Sequence, residues 1–231
     1  NVGTTFSCSP IDPVNEKNRH DKTTKRFDAL VNRLYIEPPQ GLGYPMEDLP
    51  MLRKMEKYIM DGDMKRVEFD FDFYGLQNYS RMVTKSNGII PWMAGNPIAP
   101  KNLKPRPEIT EMKWEVYPEG IYKMLKYFDK YEKIDKIIVT ENGSAFPDVV
   151  EGDFVHDHQR KKFYQDYLRN VLRAKREGVN VQGYFCWTLM DNFEWAEGYH
   201  PRFGLVHIDF ETQKRTMKDS GLWFKDFLSK R

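Results

Sequence analysis

The stretch Ile137-Ile138-Val139-Thr140-Glu141-Asn142-Gly143 sets three consecutive branched apolar residues ahead of a carboxylate, with a glycine two residues beyond. Unbroken apolar runs of this kind suit strands covered on both faces, as in parallel sheets. The run predicts a buried strand over 136–140, and Gly143 permits a sharp turn directly after it. In a parallel barrel that arrangement puts Glu141 at the carboxyl-end rim, facing the mouth. On this segment alone, a Glu that merely ends a strand at the surface is an equal alternative.

Blocks of the same kind recur in both directions. Strand-like segments are predicted over 2–7, 69–79 and 183–190, the second of them rich in aromatics. Residues 21–34 space Phe27, Leu30, Val31 and Leu34 along one helical face, with Asp21 as N-cap. A second helix is expected over 51–59, beyond a break rich in Pro and Gly. Pro118 suits the first turn of a helix reaching residue 131. Asp157 is expected to cap a helix running to Glu177, with Phe163, Tyr167, Val171 and Ala174 on one face and Gly178 at its end. A last helix is expected over 216–228. Residues 87–110 hold Gly88, Gly95 and five prolines and are read as a long loop. Strands alternating with helices imply βαβ units around a parallel sheet, hence an α/β fold. Only about four such units fit, whereas a complete (β/α)8 barrel takes roughly 250 residues with short loops. The loops must therefore be long, and long loops at strand ends are where such folds keep their chemistry.

The 231 residues carry 36 Lys+Arg against 34 Asp+Glu, a formal charge of +2, with 40% hydrophobic and 14% aromatic residues. That is enough apolar material for a buried core and for one or two domains. The near balance of charge argues against a nucleic-acid or membrane-surface binder, which gathers a basic excess on one face. No apolar run approaches the ~18 residues of a membrane span. Cys8 and Cys186 are too few for a disulfide framework and read as reduced core thiols, without redox or metal duty. The opening Asn1-Val2-Gly3-Thr4-Thr5-Phe6-Ser7 lacks the basic start and apolar stretch of a signal peptide, and reads as a strand entered part-way through a larger fold.

The next strand end is richer. Trp187-Thr188-Leu189-Met190-Asp191-Asn192-Phe193-Glu194-Trp195 adds two indoles and two carboxylates, and the chain continues Ala196-Glu197-Gly198-Tyr199-His200-Pro201-Arg202-Phe203-Gly204. Aromatic rings beside acids suit a sugar: rings stack on the apolar face of a pyranose, and carboxylates grip its hydroxyls in pairs. Phe193 reads as a core residue; Trp187 and Trp195, beside Glu194, do not.

Val139-Thr140-Glu141-Asn142-Gly143 together with residues 187–204 closely resembles glycoside hydrolase family 1, the β-glucosidase family. Trp114-Glu115-Val116-Tyr117-Pro118-Glu119-Gly120 is similar to that family's aglycone-side segment and residues 204–221 to its closing segment, so the likeness covers essentially the whole chain. The resemblance implies a (β/α)8 TIM barrel of which residues 1–231 supply about the second half, strands five to eight of a single catalytic domain. It also implies retaining hydrolysis of terminal, unphosphorylated β-D-glucosides, galactosides or fucosides, cello-oligosaccharides among them, with no cofactor and no metal. By the same resemblance, Glu141 stands where the family keeps its nucleophile. Tyr79, in Gly75-Leu76-Gln77-Asn78-Tyr79-Ser80, stands where a tyrosine hydroxyl hydrogen-bonds that nucleophile. Trp187 would stack beneath the sugar, Glu194 would bind its O4 and O6, and Trp195 would assist at O3. Phe203 would close over the sugar, Trp114 would line the leaving-group side, and a non-proline cis peptide is expected at Trp187–Thr188.

The sequence departs from the family's pattern in two places. Its Asn-Tyr-Tyr is Gln77-Asn78-Tyr79 here, so Gln77 takes the place of an Asn near the nucleophile. Retaining hydrolysis also needs a second carboxyl group about 5–5.5 Å from the first, as proton donor. The family carries it in a Thr-Asn-Glu-Pro-type segment that this sequence lacks, along with the first half's sugar-binding Gln and His. Pro13-Val14-Asn15-Glu16 has the Asn-Glu pair without the trailing Pro and reads as surface. A half barrel exposes two sheet edges and an apolar interior. An amino-terminal half, as a second chain or as further residues, is therefore expected to supply the acid/base Glu.

Other features weigh less. His156-Asp157-His158 has no third ligand at a zinc-like spacing and reads as solvated residues at a helix start. His200 and His207 read as loop and strand residues near the site, and Lys161, Lys162, Arg173, Lys175 and Arg176 as a solvated helix face. Sequons at Asn78 and Asn142 fall inside the expected pocket, which favours a compartment without N-glycosylation, such as bacterial cytoplasm. Glu194 argues against 6-phosphosugars, whose specialists in the family carry a Ser and a Lys/Tyr pair in that region. The rival from another class is a non-catalytic carbohydrate-binding or interaction protein derived from a hydrolase half. Glu141 together with Tyr79 speaks against it, since a lectin needs neither. A thioglucosidase-like enzyme, with Gln in the donor's place, is a further variant.

Overall fold

The computed structural model describes residues 1–15, 22–86 and 92–230. Four parallel strands lie side by side in chain order: β1 (Gly3–Ser7), β2 (Phe73–Gln77), β3 (Ile137–Asn142) and β4 (Val181–Cys186). Each is followed by a helix. α1 (Lys22–Asp28) continues through a π-helical turn (Ala29–Arg33) into Leu34–Ile36; α2 is Glu119–Phe128, α3 His158–Arg176 and α4 Asp219–Ser229. The result is half of an α/β barrel, in which β1 and β4 are each paired on one side only among the described residues.

The helix-facing side of the sheet carries the core. Tyr74, Leu76, Ile137, Val139 and Val181 interlock with Ile121, Met124, Leu125 and Phe128 of α2 and with Phe163, Tyr164, Tyr167 and Val171 of α3. The α2 residues fall at i, i+3, i+4 and i+7, a single apolar stripe. The opposite side, which lines the barrel interior, mixes small and polar residues at the strand centres (Thr5, Gly75, Thr140, Gly183) with Phe73, Ile138 and the exposed Phe185. A Cβ on Gly75 would come within 2.7 Å of the Thr5 Cβ, so nothing larger fits there. Across the same surface the hydroxyls of Thr5 and Thr140 share a 2.6 Å hydrogen bond.

Several sequence expectations are corrected. The 69–79 strand is confined to Phe73–Gln77; ahead of it Phe69 and Phe71 pack against each other as tilted rings 4.7 Å apart instead of alternating across a sheet. The 51–59 helix is a 3₁₀ coil, Pro50–Tyr58; Leu52 alone of its residues is buried, so little packing favours the wider α-helical turn. The long loop contains a strand, Gly95–Ile98, antiparallel to Met82–Ser86, which in turn runs parallel to Ile11–Pro13. Pro97 disguised it, but this is the outer strand of three, where a missing N–H is tolerated. The 183–190 strand shifts to Val181–Cys186, and the 216–228 helix divides into a strand, Arg215–Met217, and α4. Asp157 precedes α3 without a capping bond; its carboxylate is occupied by Arg160 and Ser220. Asp21, Glu16 and Gly88 lie outside the described residues. Cys8 and Cys186 are free, and burial pushes both thiols up to about 12, which leaves them inert at neutral pH.

Candidate active site

An irregularity in β3 aims Glu141. Val139 pairs with Leu76, but the next matched pair is Glu141 with Gln77, so Thr140 is an extra residue. The same excess shows on the other flank: from Val139–Tyr184 to Asn142–Cys186, three steps of β3 match two of β4. One added residue reverses the in-and-out alternation beyond it. Ile137 and Val139 point to the helices, and regular alternation would send Glu141 after them. The bulge instead turns Glu141 to the side of Gln77 and drives Asn142 into the buried layer.

Glu141 receives a donor at each oxygen. The Gln77 amide donates to Oε1 at 2.9 Å and the Tyr79 hydroxyl to Oε2 at 2.6 Å. Gln77, matched with Glu141 across the two strands, thus reaches the carboxylate directly. Burial, reinforced by the hydrogen bond to Glu141 and by the charges of Glu141 and Glu194, pushes the Tyr79 hydroxyl far above its usual range. It therefore remains a proton-bearing donor. Tyr79 is anchored through its carbonyl, which accepts from the Tyr167 hydroxyl at 3.1 Å; that hydroxyl accepts from the Tyr117 N–H at 3.1 Å. Behind Glu141, the Asn142 amide donates to the Asn78 carbonyl (2.6 Å), the Asn78 amide to the Cys8 carbonyl (2.9 Å), and the Tyr184 hydroxyl to Asn142 Oδ1. These bonds tie all four strand ends together.

Gly143 brings the second strand end against the first. A Cβ there would fall 1.7 Å from the Trp187 carbonyl oxygen, so only glycine allows this approach. The same carbonyl accepts from the Tyr164 hydroxyl at 3.0 Å. The Trp187–Thr188 peptide is cis. The Trp187 indole N–H donates to Glu194 Oε1 at 3.2 Å. Burial raises the Glu194 carboxyl above its ordinary value; the indole N–H opposes the rise, and the Glu141 charge adds to it.

Aromatic rings wall one flank. Tyr79 and Trp114 lie 5.1 Å apart, and the buried Phe203 ring stands 6.5 Å from Tyr79 and 6.1 Å from Trp114. A cavity of about 560 Å³ opens beside Tyr79 and Trp114, with Arg81, Pro97, Ile98 and Leu103 in its lining. Trp195 stands apart from this group, 82% exposed. Phe193, expected in the core, is exposed as well and leans on Tyr199 (5.3 Å), because its loop crosses the rim outside the helix layer.

Sequence reasoning missed the charged hub beneath the rim. Arg160, fully buried, pairs with Asp148 (2.8 Å) and Asp157 (2.6 Å) and donates to the carbonyls of Ser144, Phe146 and Arg202. Lys218, equally buried, bridges Asp148 (2.7 Å) and Asp191 (2.8 Å). Burial and the Arg160 charge lower the Lys218 ammonium, while Asp191 and Asp148 hold it up. The hub joins the loop after Glu141 to the loop carrying Trp187 and Glu194. No local signal separates Arg160 from its neighbours Lys161 and Lys162. Lys162, Arg173, Lys175 and Arg176 do face solvent, as does His200; His207 lies on the strand Val206–Ile208.

A carboxylate cradled at a parallel-strand rim, flanked by an indole and a second carboxylate, fits the family resemblance, and comparison with known proteins decides it. Glycosyl hydrolase family 1 matches residues 1–231. The chain belongs to that family. It is 38% identical over 230 residues to a 1,4-β-D-glucan glucohydrolase of Thermotoga neapolitana, covering 98% of this chain and 50% of that one. It is 32% identical over 251 residues to 6-phospho-β-galactosidase 1 of Streptococcus pneumoniae, covering 97% and 53%. The solved β-glucosidase of Thermotoga maritima in complex with azafagomine matches with a TM-score of 0.85 and 33% identity, over 98% of this chain and 50% of that one. The chain spans about half the length of the curated relatives it matches, and supplies about the second half of the family 1 barrel. Among the described residues no helix is long and apolar enough to cross a membrane.

Proposed function

We propose that residues 1–231 are part of the catalytic barrel of a retaining β-glycosidase, in which Glu141 attacks the anomeric carbon of a terminal β-D-glucoside. A Glu141 oxygen bonds to C1 as the C1–O glycosidic bond breaks, and the leaving oxygen takes a proton from an acid/base Glu. Water, deprotonated by that same Glu, then releases the sugar from Glu141. The acid/base Glu belongs to the amino-terminal half of the barrel. The reading rests on the two-donor cradle: Gln77 and Tyr79 hold both oxygens of Glu141 in one direction.

Trp187 and Glu194 support a sugar ring bound at this point, one by its face and the other by accepting from hydroxyls. Trp114 and Phe203 extend the site toward the leaving group and over the sugar, and Trp195 reaches O3 from the rim. A 6-phosphate would be repelled by Glu194, so unphosphorylated glucosides and cello-oligosaccharides are the favoured substrates, with galactosides or fucosides next. Both sequon residues, Asn78 and Asn142, are buried and hydrogen-bonded, so a glycan on either would keep the rim from forming. This supports a bacterial cytoplasmic setting.

The deciding experiment is exposure to a 2-fluoro-β-glucoside with and without a complementing amino-terminal half, followed by mass spectrometry of the labelled peptide. Label on Glu141 is expected in the complemented protein, with no hydrolysis of aryl β-glucosides by the 231-residue chain alone. Label on a different carboxylate, or robust turnover by this chain alone, overturns the assignment. Glu194→Ser is expected to relax discrimination against 6-phosphoglucosides, and a wild-type preference for the phosphorylated sugar defeats this role for Glu194.

A further inference from the structure

His156, His158 and Asp219 meet where the hairpin of strands Val149–Glu151 and Phe154–His156 leads into α3 and where α4 begins. Asp219 Oδ2 lies 2.8 Å from His156 Nδ1 and 3.8 Å from His158 Nδ1, and one ligand atom from each residue lies within 4.8 Å of the other two. Two ligands held at about 2.1 Å by a tetrahedral zinc ion are about 3.4 Å apart, between those two separations. The sequence around the histidines offers no third ligand at a zinc-like spacing; the fold brings one from 63 residues beyond His156.

The frame around the three is already fixed. Asp157, between the two histidines, accepts from the Ser220 N–H (2.8 Å) and from its hydroxyl, which fastens the start of α3 to the first turn of α4. Val155 bridges Lys218. Each candidate ligand is therefore one residue from a cross-link between the same two segments. Glu151 Oε2 stands 3.9 Å from His156 Nε2, the nitrogen not turned to Asp219. Metal-bound imidazoles commonly have an outer carboxylate in that position to orient the ring. The His158 side chain is 80% exposed, which leaves room for water to complete a coordination sphere.

We propose that His156, His158 and Asp219 form a binding site for a divalent transition metal of the zinc, copper or nickel class, with two imidazole nitrogens, one carboxylate oxygen and water as ligands. The ion clips the hairpin, α3 and α4 together. The site shares no residue with the Glu141 cradle and leaves the glycoside chemistry as it stands.

The test is calorimetric titration of the untagged, metal-stripped protein with zinc chloride in a non-coordinating buffer, paired with thermal unfolding with and without the metal. Wild type is expected to take up one zinc ion saturably and to melt at a higher temperature in its presence. His158→Gln and Asp219→Asn are each expected to weaken binding at least about ten-fold, and Glu151→Gln to weaken it less. His200→Gln removes an exposed histidine elsewhere and is expected to bind as wild type. The proposal fails if wild type shows no saturable uptake, if His158→Gln binds undiminished, or if His200→Gln loses as much affinity as His158→Gln. His158 projects into solvent, so its variant carries the test even if Asp219→Asn perturbs the start of α4.

Discussion

Glu141 has a side-chain donor on each oxygen and a ladder of buried amides behind it, whereas Glu194 hangs from the Trp187 indole in a loop whose Phe193, Trp195 and Tyr199 are all more than half exposed. The first carboxylate is fixed in direction and the second is left adjustable. That division suits the tasks proposed for them. A group that attacks one atom along one line gains from a fixed approach, since effective concentration depends steeply on orientation. A group that grips several hydroxyls gains from some freedom.

The contrast breaks most completely when the foundation common to both loops is removed. Arg160→Met leaves Asp157 without its buried cation and Asp148 with Lys218 alone, and is expected to destabilise the protein by about 3–5 kcal/mol in chemical denaturation. Next in size is Tyr79→Phe, which deletes one donor from the Glu141 cradle and leaves Glu194 untouched. In the completed enzyme kcat is expected to fall about 10²-fold, roughly 2.7 kcal/mol, with KM nearly unchanged; a change in KM alone would mean that the hydroxyl serves sugar binding. Gly143→Ala forces a methyl onto the Trp187 carbonyl and is expected to cost about 1–3 kcal/mol of stability and to raise KM by shifting the indole.

The smallest effect belongs to Glu194→Gln. A carboxyl raised by burial holds its proton more tightly in the folded protein than in the unfolded chain. Its ionisation therefore opposes folding above the ordinary carboxylate range, and that penalty disappears at pH values below it. Glu194→Gln is expected to melt slightly above wild type at neutral pH, with the gap closing on acidification, while sugar affinity drops. A wild type that melts higher than the variant at neutral pH would show that Glu194 is comfortable where it is.

Glu141 was legible because an apolar run, a carboxylate and a turn glycine are neighbours in the chain, and the Trp187–Gly204 segment was legible for the same reason. Local pattern carried no further. Arg160 sits among solvated cations that share its residue type, and its burial is decided by Asp148 and Asp157 closing over it. The strand Gly95–Ile98 was hidden by Pro97, whose meaning depends on occupying an outer edge. Asp219 shows no link to His156 until α4 packs beside the hairpin. Phe193 looked like core because apolar character says nothing about which side of a rim a loop crosses.

The extra residue at Thr140 makes the direction of Glu141 a question of parity. Deleting one residue from 138–140 would keep the carboxylate and all its partners in the chain, yet swing it among the aromatic rings of α3, where no sugar can reach it. Along this strand, losing one residue would do more harm than exchanging several, and the chemistry proposed for Glu141 depends on an odd step as much as on an acid.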